Sequence, residues 1–151
     1  GVGFYFTDSD EVAKIYANEK TDDKYLYHIT LHKGKKPSEY DYIVFDEELT
    51  NSQINKLKPY LDEIGIDIHT IKNGLELFST LSNYYYDILP FMAYKTNVAK
   101  RKVSELLLKC GIDGFKYKFP NSTISHEYGY DGYNYVVFDP KAITITKQNK
   151  L

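Results

Sequence analysis

The chain is poor in several residue types that often mark a functional class. It has one cysteine (Cys110), one arginine (Arg101), one methionine and no tryptophan. A single cysteine excludes an internal disulfide and a cluster of thiolate metal ligands. A single arginine argues against an interface built on bidentate arginine–phosphate contacts. No apolar run approaches the roughly 20 residues of a membrane span and no signal peptide is recognisable, so we expect a cytoplasmic protein without a membrane partner.

Neither the charge nor the histidine content indicates a functional class. The 19 basic and 21 acidic residues give a net charge of −2, which predicts no nucleic-acid footprint. His32 and His69 have no ligand partners at a recognised spacing, so we predict no metal site. Aromatic residues, by contrast, are abundant, with sixteen tyrosines and eight phenylalanines. A chain of 151 residues is most simply one domain, 1–151.

Residues 1–17 predict a short strand that stops at a polar turn and continues as a helix. The strand contains Tyr5 and the helix contains Tyr16, so two phenol rings can lie on one side of a cleft. Asp8 followed by Glu11 predicts a capping box at the start of the helix. Two rings held apart in this way can sandwich a flat, electron-poor ring. The alternative is that both tyrosines are core or rim residues of a tyrosine-rich protein.

Hydrophobic periodicity and turn residues divide the rest of the chain into further elements. Thr50 and Gln53 predict the start of a helix, Gly65 predicts its end, and Pro59 predicts a kink or a division between them. The pattern assigns no element to residues 84–90. The other expected strands span 25–32, 39–45, 115–119, 133–138 and 142–146, and the other expected helices span 73–81 and 96–110. The order β-α-β-β-α-α-α-β-β-β indicates an α+β domain with a helical region inserted in its middle.

Two parts of the sequence resemble a known superfamily. Residues 3–8, GFYFTD, together with Tyr16, are similar to the nicotinamide-pocket segment of the ADP-ribosyltransferase superfamily, in its diphtheria-toxin-like branch with the His–Tyr–Glu pattern. In that branch the second tyrosine follows the first by eleven residues, as Tyr16 follows Tyr5. Residues 111–115, GIDGF, and 135–143, YVVFDPKAI, resemble the small transferase-like domains of phage and mobile-element polyvalent proteins. The resemblance implies an ADP-ribosyltransferase-like α+β fold, with a split β-sheet core and an inserted helical region.

The resemblance also implies a substrate and its site. NAD would bind with its nicotinamide between Tyr5 and Tyr16, and its ADP-ribose would pass to a host protein or to a nucleic acid. The setting of the similar domains suggests a phage or toxin effector, in a bacterium or delivered into a host cell. The implied cofactor-binding residues are Gly3, Phe4, Tyr5, Thr7 and Tyr16.

The sequence departs from the family pattern at two catalytic positions. The family's histidine strand would precede Gly1, and His28, which follows the tyrosine motif, is not assigned its role. The family's glutamate falls at Asn134, an amide without the charge that stabilises a ribosyl cation. Removing one well-aimed group costs about 3–4 kcal/mol of transition-state stabilisation. Glu127 and Asp131 are the carboxylates that could replace the family's glutamate. The alternative is that Glu127 is a solvated side chain and Asp131 is part of a turn.

Two functions therefore stay open. The first is an NAD-dependent mono-ADP-ribosyltransferase or NAD glycohydrolase, and its candidate catalytic residues are Tyr5, Tyr16, Asn134, Glu127 and Asp131. The second is a degenerate transferase fold that recognises a nucleotide or a host protein, as a binding module or an inhibitor, without turnover.

Overall fold

The structure is a computed structural model that describes residues 3–18, 25–118 and 132–151, with only the backbone for 15–18. Within these ranges, six strands and four α-helices follow one another in the predicted order. The strands are β1 (Phe4–Thr7), β2 (Tyr25–Leu31), β3 (Tyr42–Val44), β4 (Gly114–Lys118), β5 (Tyr133–Val137) and β6 (Ile143–Lys150). The helices are α1 (Asp10–Asn18), α2 (Asn51–Glu63), α3 (Gly74–Ile88) and α4 (Lys95–Lys109).

The strands form two separate sheets. The larger sheet has the order β1-β5-β4-β3, in which β3 and β4 are parallel and the other pairs are antiparallel. The smaller sheet pairs β2 with β6, and its register shifts between His28 and Ile29. The chain is thus a mixed α+β structure in which α2, α3 and α4 form the connection between the two parallel strands. A parallel pair needs such a crossover because its strands cannot be joined by a tight turn.

One face of the larger sheet packs against the three inserted helices. Phe115 of β4 is 1% exposed, and its ring centroid lies 4.9 Å from that of Phe45, 5.4 Å from Phe138 and 5.7 Å from Phe78. The helices contribute fully buried aliphatic side chains to this core: Leu57, Leu61, Leu77, Leu81, Val103 and Leu107. Each such side chain stabilises the fold by about 1.5–3 kcal/mol through removal of apolar surface from water.

Two helices are longer or more continuous than their sequence predicts. Pro59 does not divide α2, which runs unbroken from Asn51 to Glu63. Leu57 and Leu61 flank the proline and are both fully buried, so their packing outweighs a cost of about 3 kcal/mol for proline in a helix interior. Residues 84–88, left unassigned by the sequence pattern, complete α3. That helix ends at Ile88, and the backbone of Leu89 after it is extended because Pro90 follows.

The start of α1 is capped by a different residue from the one expected. Ser9 Oγ accepts the backbone N–H of Val12 at 3.3 Å and donates to the Glu11 carboxylate at 2.9 Å. The predicted capping box of Asp8 with Glu11 is therefore wrong. Asp8 instead bridges two strands, because its carboxylate accepts the backbone N–H of Tyr133 at 3.0 Å while its own N–H donates to the Tyr133 carbonyl. A residue that closes a strand ladder is not available to cap the following helix.

A polar cluster fixes the beginning of the parallel strand pair. The backbone N–H of Asp41 donates to the Asp113 carboxylate at 2.8 Å, and the N–H of Asp113 donates to the Asp41 carbonyl at 2.8 Å. The Asp41 carboxylate also accepts Gln53 Nε2 and Lys56 Nζ of α2, each at 2.8 Å. Phe138, just after β5, donates its N–H to the Asp113 carbonyl at 3.0 Å. Three strands and a helix are joined through two aspartates.

Gly114, the first residue of β4, is required by its neighbours. A Cβ there would overlap the carbonyl oxygen of Val136 and lie within 2.5 Å of the Tyr42 ring. We expect Gly114→Ala to lower the free energy of unfolding by about 3 kcal/mol, because the crowded atoms include backbone of the central strands. Gly65→Ala is the matched control: Gly65 has a φ of +76° but open space around it, so it should lose only about 1 kcal/mol. Urea denaturation measures both, and equal losses would contradict the packing argument.

Candidate functional site

A cleft of about 930 Å³ lies between the two sheets. Its wall consists of residues 5–10 with Ala13 of α1, most of β2 with His32 and Pro37 after it, the segment from Tyr40 to Tyr42, and Val44 of β3, Lys116 of β4 and Tyr135 of β5. The cleft lies on the face of the larger sheet opposite the helical core, because Lys116 and Tyr135 alternate in sequence with the core residues Phe115 and Val136. Its volume is near the upper end of the range for small-molecule sites, about 300–1,000 Å³.

Only some of the residues predicted in and beside β1 belong to the cleft wall. Tyr5, which is 60% exposed, and Thr7 belong to the wall, but they pair in register with Val136 and Asn134, so their side chains lie on the helical face of the sheet at its edge. Phe6 pairs with Tyr135, and its side chain shares the cleft face. Phe4 is 48% exposed and does not contribute to the wall, whereas Phe6 does. Gly3 is required by packing within the sheet and not by a ligand, since a Cβ there would overlap the carbonyl oxygen of Val137 on β5. The close neighbour of Gly3 is thus a backbone within the sheet.

The other predicted residues are only partly located. The backbone of Tyr16 belongs to α1, whose Ala13 lines the cleft, but the Tyr16 side chain lies outside what the structure describes. Glu127 and Asp131 also lie outside the described residues. Asn134 is buried in β5, paired in register with Thr7, and is not part of the cleft wall. Tyr135 takes that place, because successive side chains of a strand face opposite sides of the sheet.

The structure also places in the cleft a cluster of rings that the sequence patterns do not predict. His32 Nε2 lies 2.7 Å from the Tyr42 hydroxyl, and the His32 ring stacks on Tyr40 with centroids 4.4 Å apart. The edge of Tyr42 meets the ring of Tyr135 at 5.9 Å. We name His32, Tyr40, Tyr42 and Tyr135 the ring cluster. His32 is distant in sequence from Tyr135, and no spacing rule links a loop histidine to phenols of other strands.

Burial keeps three members of the ring cluster, His32, Tyr42 and Tyr135, uncharged. Desolvation lowers the pKa of His32, and the Asp113 carboxylate opposes this only in part. Desolvation also raises the pKa of Tyr42, and Asp113 adds to the rise. The pKa of Tyr135 is raised by desolvation and by the nearby Asp8 carboxylate, to which it is hydrogen-bonded. At neutral pH these three residues therefore offer neutral hydrogen-bonding groups and ring faces rather than fixed charge.

Two of the three described wall carboxylates have structural partners. Of the described wall carboxylates, Asp8 accepts the Tyr133 N–H and Asp41 is held by Lys56 and Gln53, while Asp10 is exposed at the start of α1. Lys116 lies with its Nζ 4.6 Å above the Tyr133 ring. Such a wall can hold a flat ring by stacking and a cationic ring by cation–π and carboxylate attraction.

Comparisons with models of protein families, with curated proteins and with solved structures returned no match to this chain. Across 3–18, 25–118 and 132–151, no helix combines the length and the apolar character that a membrane span requires. In the same ranges, no three histidine, cysteine, aspartate or glutamate side chains come together as ligands for a metal ion.

The buried imidazole makes stability depend on pH. The folded-state pKa of His32 is below its ordinary value of about 6.5, so the unfolded chain takes up a proton first as the pH falls. Stability conferred by the neutral ring should be complete above about pH 7 and decline as the pH falls below about 6.5. His32→Asn, which tolerates the φ of 55° at this position, should flatten the decline measured by urea denaturation between about pH 7.5 and 5.

His69→Asn serves as the control for that measurement, since His69 is an exposed histidine outside the cleft. It should leave the slope of stability against pH unchanged. A slope that survives in His32→Asn would contradict the assignment to His32.

Proposed function

We propose that the chain binds NAD in the cleft and acts as an ADP-ribosyltransferase or NAD glycohydrolase of the transferase-like fold. The observation that carries the proposal is that Tyr5, the first tyrosine of the nicotinamide-pocket motif, is 60% exposed on the edge strand β1, which borders the cleft between the two sheets. The split sheets, and the helical insertion between β3 and β4, support the fold that the resemblance implies.

The nicotinamide ring would stack on Tyr5. Nicotinamide carries a positive charge in NAD, and a phenol face attracts a cation by about 0.5–2 kcal/mol. The wall carboxylates Asp8 and Asp10 follow Tyr5 closely in sequence, so their negative charge lies near the proposed position of the cationic ring. Tyr16 would form the second face of the sandwich. The rest of the dinucleotide would extend towards the ring cluster, which supplies neutral hydrogen-bonding groups.

The reaction would proceed at the ribose. The bond between C1′ and the nicotinamide nitrogen breaks, its electron pair leaves with neutral nicotinamide, and the ribose gains oxocarbenium character. A nucleophile of the acceptor, or water, then forms a bond to C1′ and loses its proton. A carboxylate directed at the ribose stabilises the positive charge. Asp8 and Asp41 are held by structural partners and Asp10 would lie beside the nicotinamide, so we assign this role to Glu127 or Asp131.

A second candidate is recognition of a nucleotide or a host protein without turnover. It is favoured by Asn134, which takes the place of the family's glutamate with an uncharged amide, is buried, and is not part of the cleft wall. In this case the cleft would keep the binding contribution of Tyr5 but supply no charge to the ribose.

Calorimetric titration with NAD tests the site. Tyr5→Ala should weaken binding by about 2- to 30-fold, the equivalent of one cation–π contact, whereas Tyr5→Phe should retain most of the affinity because the ring face remains. Tyr86→Ala is the matched control, because Tyr86 is an exposed tyrosine of α3 outside the cleft wall. Absence of NAD binding to the native chain would reject the enzyme and would leave only recognition of another nucleotide or of a host protein.

Release of nicotinamide from labelled NAD separates the two candidates. If the chain is an enzyme, Glu127→Gln or Asp131→Asn should reduce the rate about 100- to 1,000-fold, because one of them removes the charge at the ribose. NAD binding by the native chain without release or label transfer would instead support recognition without turnover. Release unaffected by either substitution would reject the assignment of the carboxylate.

A further inference from the structure

The most exposed aromatic side chains of the described chain lie outside the cleft, where α3 leads into α4. Phe91 is 99% exposed and Tyr94 is 80% exposed, and Ile88 beside them is 59% exposed. Tyr86, at the end of α3, is 43% exposed and carries the Lys95 ammonium 4.2 Å above its ring. Large apolar side chains grouped in this way are uncommon on a surface that has no partner.

The same region concentrates positive charge. Residues 86–102 contain four basic residues, Lys95, Lys100, Arg101 and Lys102, against the single carboxylate of Asp87, although the whole chain has a net charge of −2. Helix α4 as a whole has five basic residues and one acidic residue, Glu105. The average composition therefore conceals a local excess of cations, and this excess favours an anionic partner.

The cations of α4 form a line. Lys95, Lys102 and Lys109 recur every seven residues, which brings them to the same side of a helix with 3.6 residues per turn. They span about 21 Å along the helix axis, at a rise of about 1.5 Å per residue. We name these three residues the lysine track. A lysine lies over a tyrosine ring at each end of the track. Lys95 lies over Tyr86 at the near end, and at the far end Lys109 Nζ lies 5.5 Å from the centroid of the Tyr60 ring.

We propose that the lysine track, with the exposed rings of Phe91, Tyr94 and Tyr86 at its start, binds single-stranded nucleic acid. A linear polyanion matches a line of cations along a helix, whereas a membrane surface would match cations arranged in one plane around an apolar tip. The exposed rings select a single strand over a duplex, because unpaired bases present free faces for stacking. The proposal does not depend on NAD binding, since the lysine track and these rings lie outside the cleft wall.

Fluorescence anisotropy with a labelled oligothymidine of about 20 nucleotides tests the proposal on the full chain. Binding should weaken as salt rises from about 50 to 200 mM, and Lys102→Gln should reduce the slope of log affinity against log salt by about 0.7. Lys147→Gln, which removes the same charge from β6 in the other sheet, should leave affinity and slope nearly unchanged. Equal effects of the two substitutions would reduce the interaction to general electrostatics and overturn the proposal.

Stacking is tested at Phe91, whose complete exposure allows substitution without loss of core packing. Phe91→Ala should weaken oligothymidine binding by about 5- to 100-fold, Phe91→Trp should retain it, and Phe91→Leu should behave like alanine because leucine has no ring face. A membrane or protein pocket would accept leucine nearly as well as phenylalanine. A duplex of the same length should bind more weakly than the single strand.

Three results would overturn the proposal. They are no binding of oligothymidine at about 50 mM salt, binding that Phe91→Ala leaves unchanged, and binding to vesicles of phosphatidylcholine with phosphatidylserine in place of the oligonucleotide. Failure here would leave NAD binding untouched, because the titration of NAD reports on Tyr5 and the anisotropy reports on α4.

Discussion

The pairing of Asp41 with Asp113 is the constraint on which the rest of the structure depends. The two residues are 72 positions apart, and their reciprocal hydrogen bonds begin the only parallel strand pair of the described sheets. Closing a connection of this length carries an entropic cost that increases with the logarithm of its length. Contacts with α2 help to offset this cost. Gln53 and Lys56 both bind the Asp41 carboxylate and so attach the helical insertion to the strands that it joins.

The same constraint forms the cleft. Because side chains alternate along β3, the position of Asp41 decides that Ile43 enters the helical core while Tyr42 and Val44 face the other side of the sheet. The Tyr42 hydroxyl then forms a short hydrogen bond with His32 Nε2, and the Tyr42 and Tyr135 rings pack edge to face. The ring cluster is consequently attached to the core by one short strand. A shift of β3 by one residue would exchange the two faces and remove the cluster from the cleft.

The sequence predicts the order of all ten elements, because each has its own periodicity and most have a turn or cap signal at their ends. It fails where distant residues decide the outcome. The packing of Leu57 and Leu61 keeps Pro59 within α2, and the bridge to Tyr133 takes Asp8 away from the predicted cap. For the site, the resemblance identifies Tyr5, which belongs to the cleft wall, but sheet pairing with Val136 directs its side chain to the helical face. No local pattern predicts that His32 meets Tyr42 or that Asn134 is buried outside the wall, because sheet pairing creates both arrangements.

The cleft and the lysine track lie on opposite sides of the larger sheet. Helix α4 packs its Val103 and Leu107 on the face that contains Phe115, whereas Lys116, the next residue of β4, lines the cleft. A strand held along α4 would therefore not enter the cleft in which we propose that NAD binds. It would also not present its own groups to the ribose unless it passed around an edge of the sheet. If both proposals hold, nucleic acid on the lysine track would localise the protein rather than serve as the acceptor of ADP-ribose.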